Sequence, residues 1–416
     1  MHKRRKRTTG TGWLATMTLA LAVIFSGIPQ SVFAEESPPP LSRSANLMLA
    51  RRYQVWGEAV LKKIDDEYFI PSRRLYSSRS ADTAEEKRNP KREVAMMWAC
   101  GVQLSALGEA SKMNVRQFRP ALEGYAKALD VYIQKDALGG YDIWPCPKPK
   151  DRYYDDNVWV VLALIKGYEI FKDPEYLKRA EASMRFVLSG EDNATGGGIY
   201  WKEDGRAQGK IGKHACSTAP TIVAAIKLHR INKKIPESRQ DYLATAIRLH
   251  AWMRSTLQDQ DGLYWDHIQL SGKIGKNKYS YNSALMVRAE CLLYEETGDK
   301  KYLEEAQRVA SACLKRWVRE DGSMDDSGRF GHLMMGAFLE LYLVDRDTKW
   351  LKNCDMICEF IYAKLQDPGG LYPGGWGRPL EKGKKLTKVD LLDQASVAHA
   401  FLETAATHYR DAALRR

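Results

Sequence analysis

A chain of 416 residues that is 44% apolar and 10% aromatic has the material for a large buried core, which excludes a disordered or low-complexity protein. Its formal charge of +12 falls to +7 once the five Lys and Arg of residues 1–7 are set aside. The remaining charges are scattered, the runs at Lys233-Lys234 and from Lys382 to Lys388 read as solvated faces, and no nucleic-acid-binding motif is present, so no nucleic-acid partner is expected.

The amino terminus reads as an export signal. A basic start is followed by an apolar run from Trp13 to Ile28, too short for a comfortable membrane span. Val32-Phe33-Ala34 then supplies small residues for cleavage after Ala34. A mature protein that is secreted or periplasmic, with no membrane span, is expected. Residues 35–44, with three consecutive prolines, read as a flexible leader, and residues 45–416 as one domain acting as a monomer.

From there on helical periodicity dominates and strand patterns are scarce. Twelve main helices are predicted at about 45–67, 93–112, 115–136, 156–171, 174–189, 215–231, 238–258, 280–296, 299–318, 330–344, 347–365 and 390–409. Short and long connections alternate between them. In an array of antiparallel helices, alternate links lie at opposite ends, so every long loop gathers on one face. Internal repetition supports a single repeating architecture. Aromatic-Leu pairs follow four short links, at Tyr176-Leu177, Tyr242-Leu243, Tyr302-Leu303 and Trp350-Leu351. Gly-aromatic turns recur in long loops, at Gly140-Tyr141, Gly198-Ile199-Tyr200, Gly262-Leu263-Tyr264 and Gly370-Leu371-Tyr372. Six helical hairpins closed in a ring make an all-α (α/α)6 barrel; an open helical solenoid is the alternative.

The candidate chemistry lies where a long loop meets a helix, at Tyr153-Tyr154-Asp155-Asp156-Asn157. Acids at a helix start suit capping and the helix dipole, so this pair has an ordinary structural reading. The sharper reading is two carboxylates in one cavity, one nucleophile and one acid/base, with Asp155 as a cap not yet in the helix so that both side chains project together. Aromatic and polar groups crowd the same face: Trp144, Tyr200, Trp201, Tyr264, Trp265, Asp266, Tyr281, Asn282, Tyr372 and Trp376. Flat rings with polar edges suit sugars. The seven cysteines lack the spacing of a disulfide framework or zinc site, and no histidines are spaced as a ligand pair, so neither metal nor cofactor is expected.

Tyr154-Asp155-Asp156-Asn157, Gly196-Gly197-Gly198-Ile199-Tyr200-Trp201, Gly262-Leu263-Tyr264-Trp265-Asp266 and Tyr279-Ser280-Tyr281-Asn282 together resemble glycoside hydrolase family 76, the endo-α-1,6-mannanases. The resemblance covers most of the chain after the signal and implies an (α/α)6 barrel and retention of configuration. It implies Asp155 as nucleophile and Asp156 as acid/base. Tyr154, Asn157, Tyr200, Trp201, Tyr264, Trp265, Asp266, Tyr281 and Asn282 are the candidate substrate-binding residues, for an α-mannan polysaccharide or oligosaccharide. Two positions depart from the family pattern: Ser217-Thr218 where the family usually has Ser-Asn, and Ser283-Ala284 where it usually has Gln-Gly. A sugar epimerase on the same barrel would instead rely on histidines such as His214, His267 or His399. A non-catalytic glycan-binding protein would keep the aromatics and dispense with the carboxylates.

Overall fold

The structure, a computed structural model, describes residues 40–147, 150–206, 208–234 and 241–414. The export signal and most of the leader lie outside these residues. The helices run α1 (Arg43–Tyr68), α2 (Ala84–Arg88), α3 (Met97–Met113), α4 (Val115–Ala128), α5 (Tyr154–Phe171), α6 (Pro174–Leu188) and α7 (Ala215–Asn232). They continue as α8 (Tyr242–Leu257), α9 (Ser280–Thr297), α10 (Lys300–Trp317), α11 (Gly328–Asp345), α12 (Thr348–Phe360) and α13 (Leu391–Leu414). Among the described residues no helix is long and apolar enough to cross a membrane.

The helices form two concentric rings. In the inner ring α3, α5, α7, α9, α11 and α13 each pack against the next, and α13 returns to α3. Around them α4, α6, α8, α10 and α12 each pack on the inner helix that precedes them, while α1 packs on α13 and closes the circle. This is the (α/α)6 barrel, and closure rules out the open solenoid. The residue pattern explains who goes where. In α7 nearly every residue from Ala215 to Ile226 is buried, as a helix surrounded by others requires; in α10 only Glu305, Ala306, Val309, Ala310, Cys313 and Trp317 are. All seven cysteines are free thiols, six of them buried as small core residues.

The differences from the predicted helices are local. The helix expected at 115–136 gives way to a 3-10 turn at Leu129–Tyr132, and Ile133 then pairs with Tyr141 across the loop. The chain before α3 is extended because Val94 pairs with Ser77. Short α2 and three small antiparallel strands, β3 (Lys213–His214), β4 (His267–Ile268) and β5 (Ile274–Gly275), lie inside long loops. Two more strands, β1 (Phe69–Ile70) and β2 (Leu75–Tyr76), form a hairpin after α1.

Every long connection precedes an inner helix, so all the inner helices begin on one face. The repeated Gly-aromatic turns are pinned there by one rule. The fourth residue of an inner helix reaches back and accepts from the backbone of the turn: Asn157 Oδ1 from Tyr141 N at 2.7 Å, Thr218 Oγ1 from Ile199 N at 3.0 Å, Ser283 Oγ from Tyr264 N at 2.9 Å, and Gln394 Oε1 from Tyr372 N at 3.1 Å. Buried loop backbone needs such partners. The glycines of the turn at 196–198 all have positive φ, and a Cβ on Gly198 would run into the Trp252 ring.

Candidate active site

The second residues of five of the six inner helices, Trp98, Asp155, Cys216, Tyr281 and Arg329 in α3, α5, α7, α9 and α11, lie at the loop end of the barrel; in α13 the position is Leu392, a core residue. At α5 the cap is Tyr153, in extended conformation, and Tyr154 N donates to Trp201 O at 2.9 Å. Asp155 is therefore helical and not the cap that the sequence suggested. Successive helical residues point about 100° apart. Asp155 and Asp156 can still share a cavity because the first turn has no preceding turn above it.

Their surroundings differ. Asp155, half-buried, accepts the Asp156 N–H at 3.0 Å on Oδ1 and the Trp201 indole N–H at 3.2 Å on Oδ2, with the Cys216 thiol nearby. Burial pushes Asp155 up to about 6 in spite of these donors. Asp156 is 8% exposed, and no donor among the described residues reaches its carboxyl. Burial drives it well above the ordinary carboxylate range, and the charges of Asp155, Asp151 and Asp142 push the same way. A helix amino terminus favours a nearby anion, but for these two carboxyls desolvation and like charge outweigh it. The two carboxyls thus stand in unequal environments, Asp155 with donors on both oxygens and Asp156 favouring its protonated form, an inequality that nucleophilic plus general-acid chemistry can use.

A column of rings steadies Trp201. His214 stacks on it at 5.3 Å and 22°, and His267 stacks on His214 at 4.7 Å and 13°. The strand pairing of β3 with β4 sets these two histidines opposite each other, and His267 Nδ1 bonds Asp266 Oδ2 at 2.9 Å. His214, His267 and Asp266 bring potential ligand atoms within 4.8 Å of one another, a grouping that chain spacing did not suggest. The group fits a metal poorly. Near-parallel imidazoles aim their in-plane lone pairs side by side and not at one point, and His267 Nδ1 is already engaged by Asp266.

Beyond Cys216 lies Tyr281, whose hydroxyl is close to both Cys216 and Asp155 and is raised well above its usual range by burial. Tyr281 stacks on Phe330 at 4.4 Å and Phe330 on Trp98 at 5.9 Å. These rings lead to a groove of about 660 Å³ lined by Trp98, Phe330, Asp325, Asp326 and Arg329. Sequence reasoning did not single out Trp98, Cys216 or Phe330. The signal that could have found them is their place, second or third in an inner helix, equivalent to Asp155 and Asp156.

Other candidates have different jobs. Tyr154 is buried, stacks on Phe186 and accepts from Arg206; Tyr200 is buried beneath the Lys213 ammonium, 3.8 Å from its ring. Asn157 is the staple for Tyr141, Tyr264 is wholly buried, and Tyr372 and Trp376 pack inward. Asn282 is buried with neither amide atom bonded. Trp265 is half-buried with Lys276 over its ring at 5.2 Å. Thr218 and Ser283, the departures from the family pattern, bind loop backbone and not the opening. His399 lies deeper in the barrel with Ser105 and Lys166.

The family model described as Glycosyl hydrolase family 76 matches residues 76–330. The solved structure of a family 76 α-mannanase of Bacteroides thetaiotaomicron is 28% identical, with a TM-score of 0.78 over 86% of this chain and 96% of that one. An inactive variant of an α-1,6-mannanase from Salegentibacter sp. HEL1_6, with two adjacent aspartates replaced by asparagine and α-1,6-mannotriose bound, is 20% identical. Its TM-score is 0.68, over 85% of this chain and 99% of that one, a likeness of fold. A "Meiotically up-regulated gene 191 protein" of Schizosaccharomyces pombe is 27% identical over 57% of this chain, and the match spans about half, 54%, of that protein's length.

Proposed function

This chain belongs to glycosyl hydrolase family 76, and from that premise we propose that it is a retaining glycoside hydrolase acting on α-1,6-linked mannan or a related α-mannoside polysaccharide. The observation that carries this reading is the unequal environment of two adjacent carboxyls. Asp155 has donors on both oxygens and is the anion; Asp156 is desolvated among acids and is the proton source.

Asp156 protonates the glycosidic oxygen as the bond to the anomeric carbon breaks, and Asp155 attacks that carbon from the opposite side. A covalent glycosyl ester forms, with configuration inverted. Asp156, now ionised, takes a proton from water, whose oxygen attacks the same carbon and releases Asp155. Two inversions give net retention. The donors on Asp155 keep it ionised before attack and stabilise it again as it leaves. The rings of Trp201 and Tyr281 beside the pair give sugar C–H faces something to lie on. The mannan substrates named for the similar solved proteins support the choice of glycan.

The test is proton NMR of purified protein acting on α-1,6-mannan. A first product of α configuration is expected. A β first product would overturn retention; cleavage of another α-mannoside alone would move the linkage; no hydrolysis of any α-mannoside would overturn the reading. Export with cleavage after Ala34 is part of the same proposal. Mass spectrometry of secreted protein should find Glu35 at the new amino terminus, and an intact Met1 would contradict it.

A further inference from the structure

The barrel has a second concavity, and it does not belong to the face just described. A cavity of about 930 Å³ runs along the barrel axis among the middle and carboxy-terminal turns of the inner helices. Its upper end reaches Gly101, Trp159, Leu285 and His332, each about a turn below the start of its helix. Its lower end passes Met113, Asn114, Glu169 and Arg230, where the short links are, and some of these residues are partly exposed. Asp155, Asp156 and Trp201 are not among its walls. The volume lies within the ~300–1,000 Å³ of small-molecule sites.

The wall chemistry restricts the occupant. Lys166 and Lys112 pair with Glu109 at 2.5 and 2.8 Å, and Arg288 lies 3.3 Å from Glu340 and 3.6 Å from Glu403. The fixed charges are thus largely answered within the protein. The carboxy-terminal helix ends that point this way disfavour an added anion. What remains unanswered is hydrogen bonding. Glu109 Oε2, Glu403 Oε2, Arg288 Nε and His399 Nδ1 are buried without a hydrogen bond, the last lying 3.5 Å from Glu403 Oε2. Buried polar atoms normally find partners. Two of these atoms are acceptors and one is a donor, and the neutral imidazole of His399, held well below its usual range by burial, supplies either role. Hydroxyl groups can donate and accept at the same carbon skeleton, which a simple cation or anion cannot. Between the polar groups lie apolar patches, Trp159, Leu162, Leu285 and Leu333, suited to C–H faces.

We propose that this axial cavity is a second binding site, opening on the face opposite the catalytic carboxylates, for a small neutral polyhydroxylated molecule of monosaccharide size. It is independent of the hydrolytic reading. Ala406, half-buried on the wall and one helical turn from Glu403, gives a way to block the part of the cavity beside that carboxyl with little disturbance. Crystals of the protein soaked in D-mannose should show a sugar ring in the cavity within hydrogen-bond distance of Glu403 and Arg288. Calorimetric titration with mannose should give a binding event that Ala406→Trp abolishes and Glu403→Gln weakens about tenfold, with both variants melting near the wild type. Hydrolysis of mannan should be unchanged within about twofold in Ala406→Trp. Ordered water alone in the cavity at saturating mannose would overturn the proposal, as would equal mannose binding in Ala406→Trp. Loss of hydrolysis in the wild type with the binding intact would count against the proposed function and leave this site standing.

Discussion

Glu109 and Asp156 are both acids buried inside the same ring of helices, and their environments push them in opposite directions. Glu109, at the end with short links, is paired with Lys112 and Lys166 and is held well below the usual carboxylate range. Asp156, at the end with long loops, has no cation beside it among the described residues, only Asp155, Asp151 and Asp142, and is held well above. Burial penalises the charge in both cases; the sign is decided by what faces the carboxyl. At the short-link end the buried acid is paired and ties helices together; at the loop end, where other charges are paired as well, Asp156 stands beside acids alone among the described residues.

The first way to break this contrast is to remove the unanswered anion. Asp155→Asn should lower turnover on α-1,6-mannan by on the order of 10³-fold or more, because no glycosyl ester can form. Reducing-end release would measure it, and near-normal activity would end the mechanism.

Removing the acid is the next test. Asp156→Asn should lose roughly 10²–10⁴-fold on mannan and much less on an aryl mannoside whose leaving group needs little protonation. Azide should restore turnover on that substrate and yield a glycosyl azide of unchanged configuration. An equal loss on both substrates would remove the acid role from Asp156.

At the paired end the expected effect is on stability. Glu109→Leu leaves Lys166, largely buried, without its carboxylate and should cost about 3 kcal/mol in urea unfolding. The activity of the molecules that remain folded should be unchanged. A loss of turnover without a loss of stability would mean the two ends are not separate.

Smaller still is the effect of the indole. Activity should fall below about pH 6 as Asp155 takes up a proton. Trp201→Phe keeps the stacked column and removes the N–H donor. It should reduce turnover roughly tenfold, the scale of one hydrogen bond to a charged group, and move the acid limb to higher pH. An unmoved limb would show that the indole does not hold the anion.

The last effect concerns pH and melting. The native pKa of Asp156 lies above its unfolded value, so its contribution turns unfavourable as pH rises past about 4. Asp156→Asn should melt with the wild type at pH 4 and roughly 2 °C higher at pH 7. Equal melting at both would mean that the carboxyl is not held protonated.

Some of this is legible in the order of residues alone. Helix periodicity and the alternation of link lengths are local properties of the chain, and they determined the twelve main helices, the single loop face and the pair Asp155-Asp156 at its edge. The Gly-aromatic repeat is equally visible, but its meaning is not. Tyr200, Tyr264 and Tyr372 sit in those motifs as good sugar platforms would, yet they are buried, because a ring next to a tight turn can point into the core or the cleft and only the neighbouring helix decides. Asn157, Thr218 and Ser283 staple loop backbone for the same reason: the partner amide is 16 to 19 residues away, and closure of the loop brings it there. The meeting of His214 with His267 depends on pairing strands from different loops. The opposite shifts of Asp156 and Glu109 depend on charges from other helices. Composition and spacing determined which groups the protein carries and which end of a helix they start from. Ring closure decided which of them face one another, because burial, stacking and charge act through distances that the order of residues does not contain.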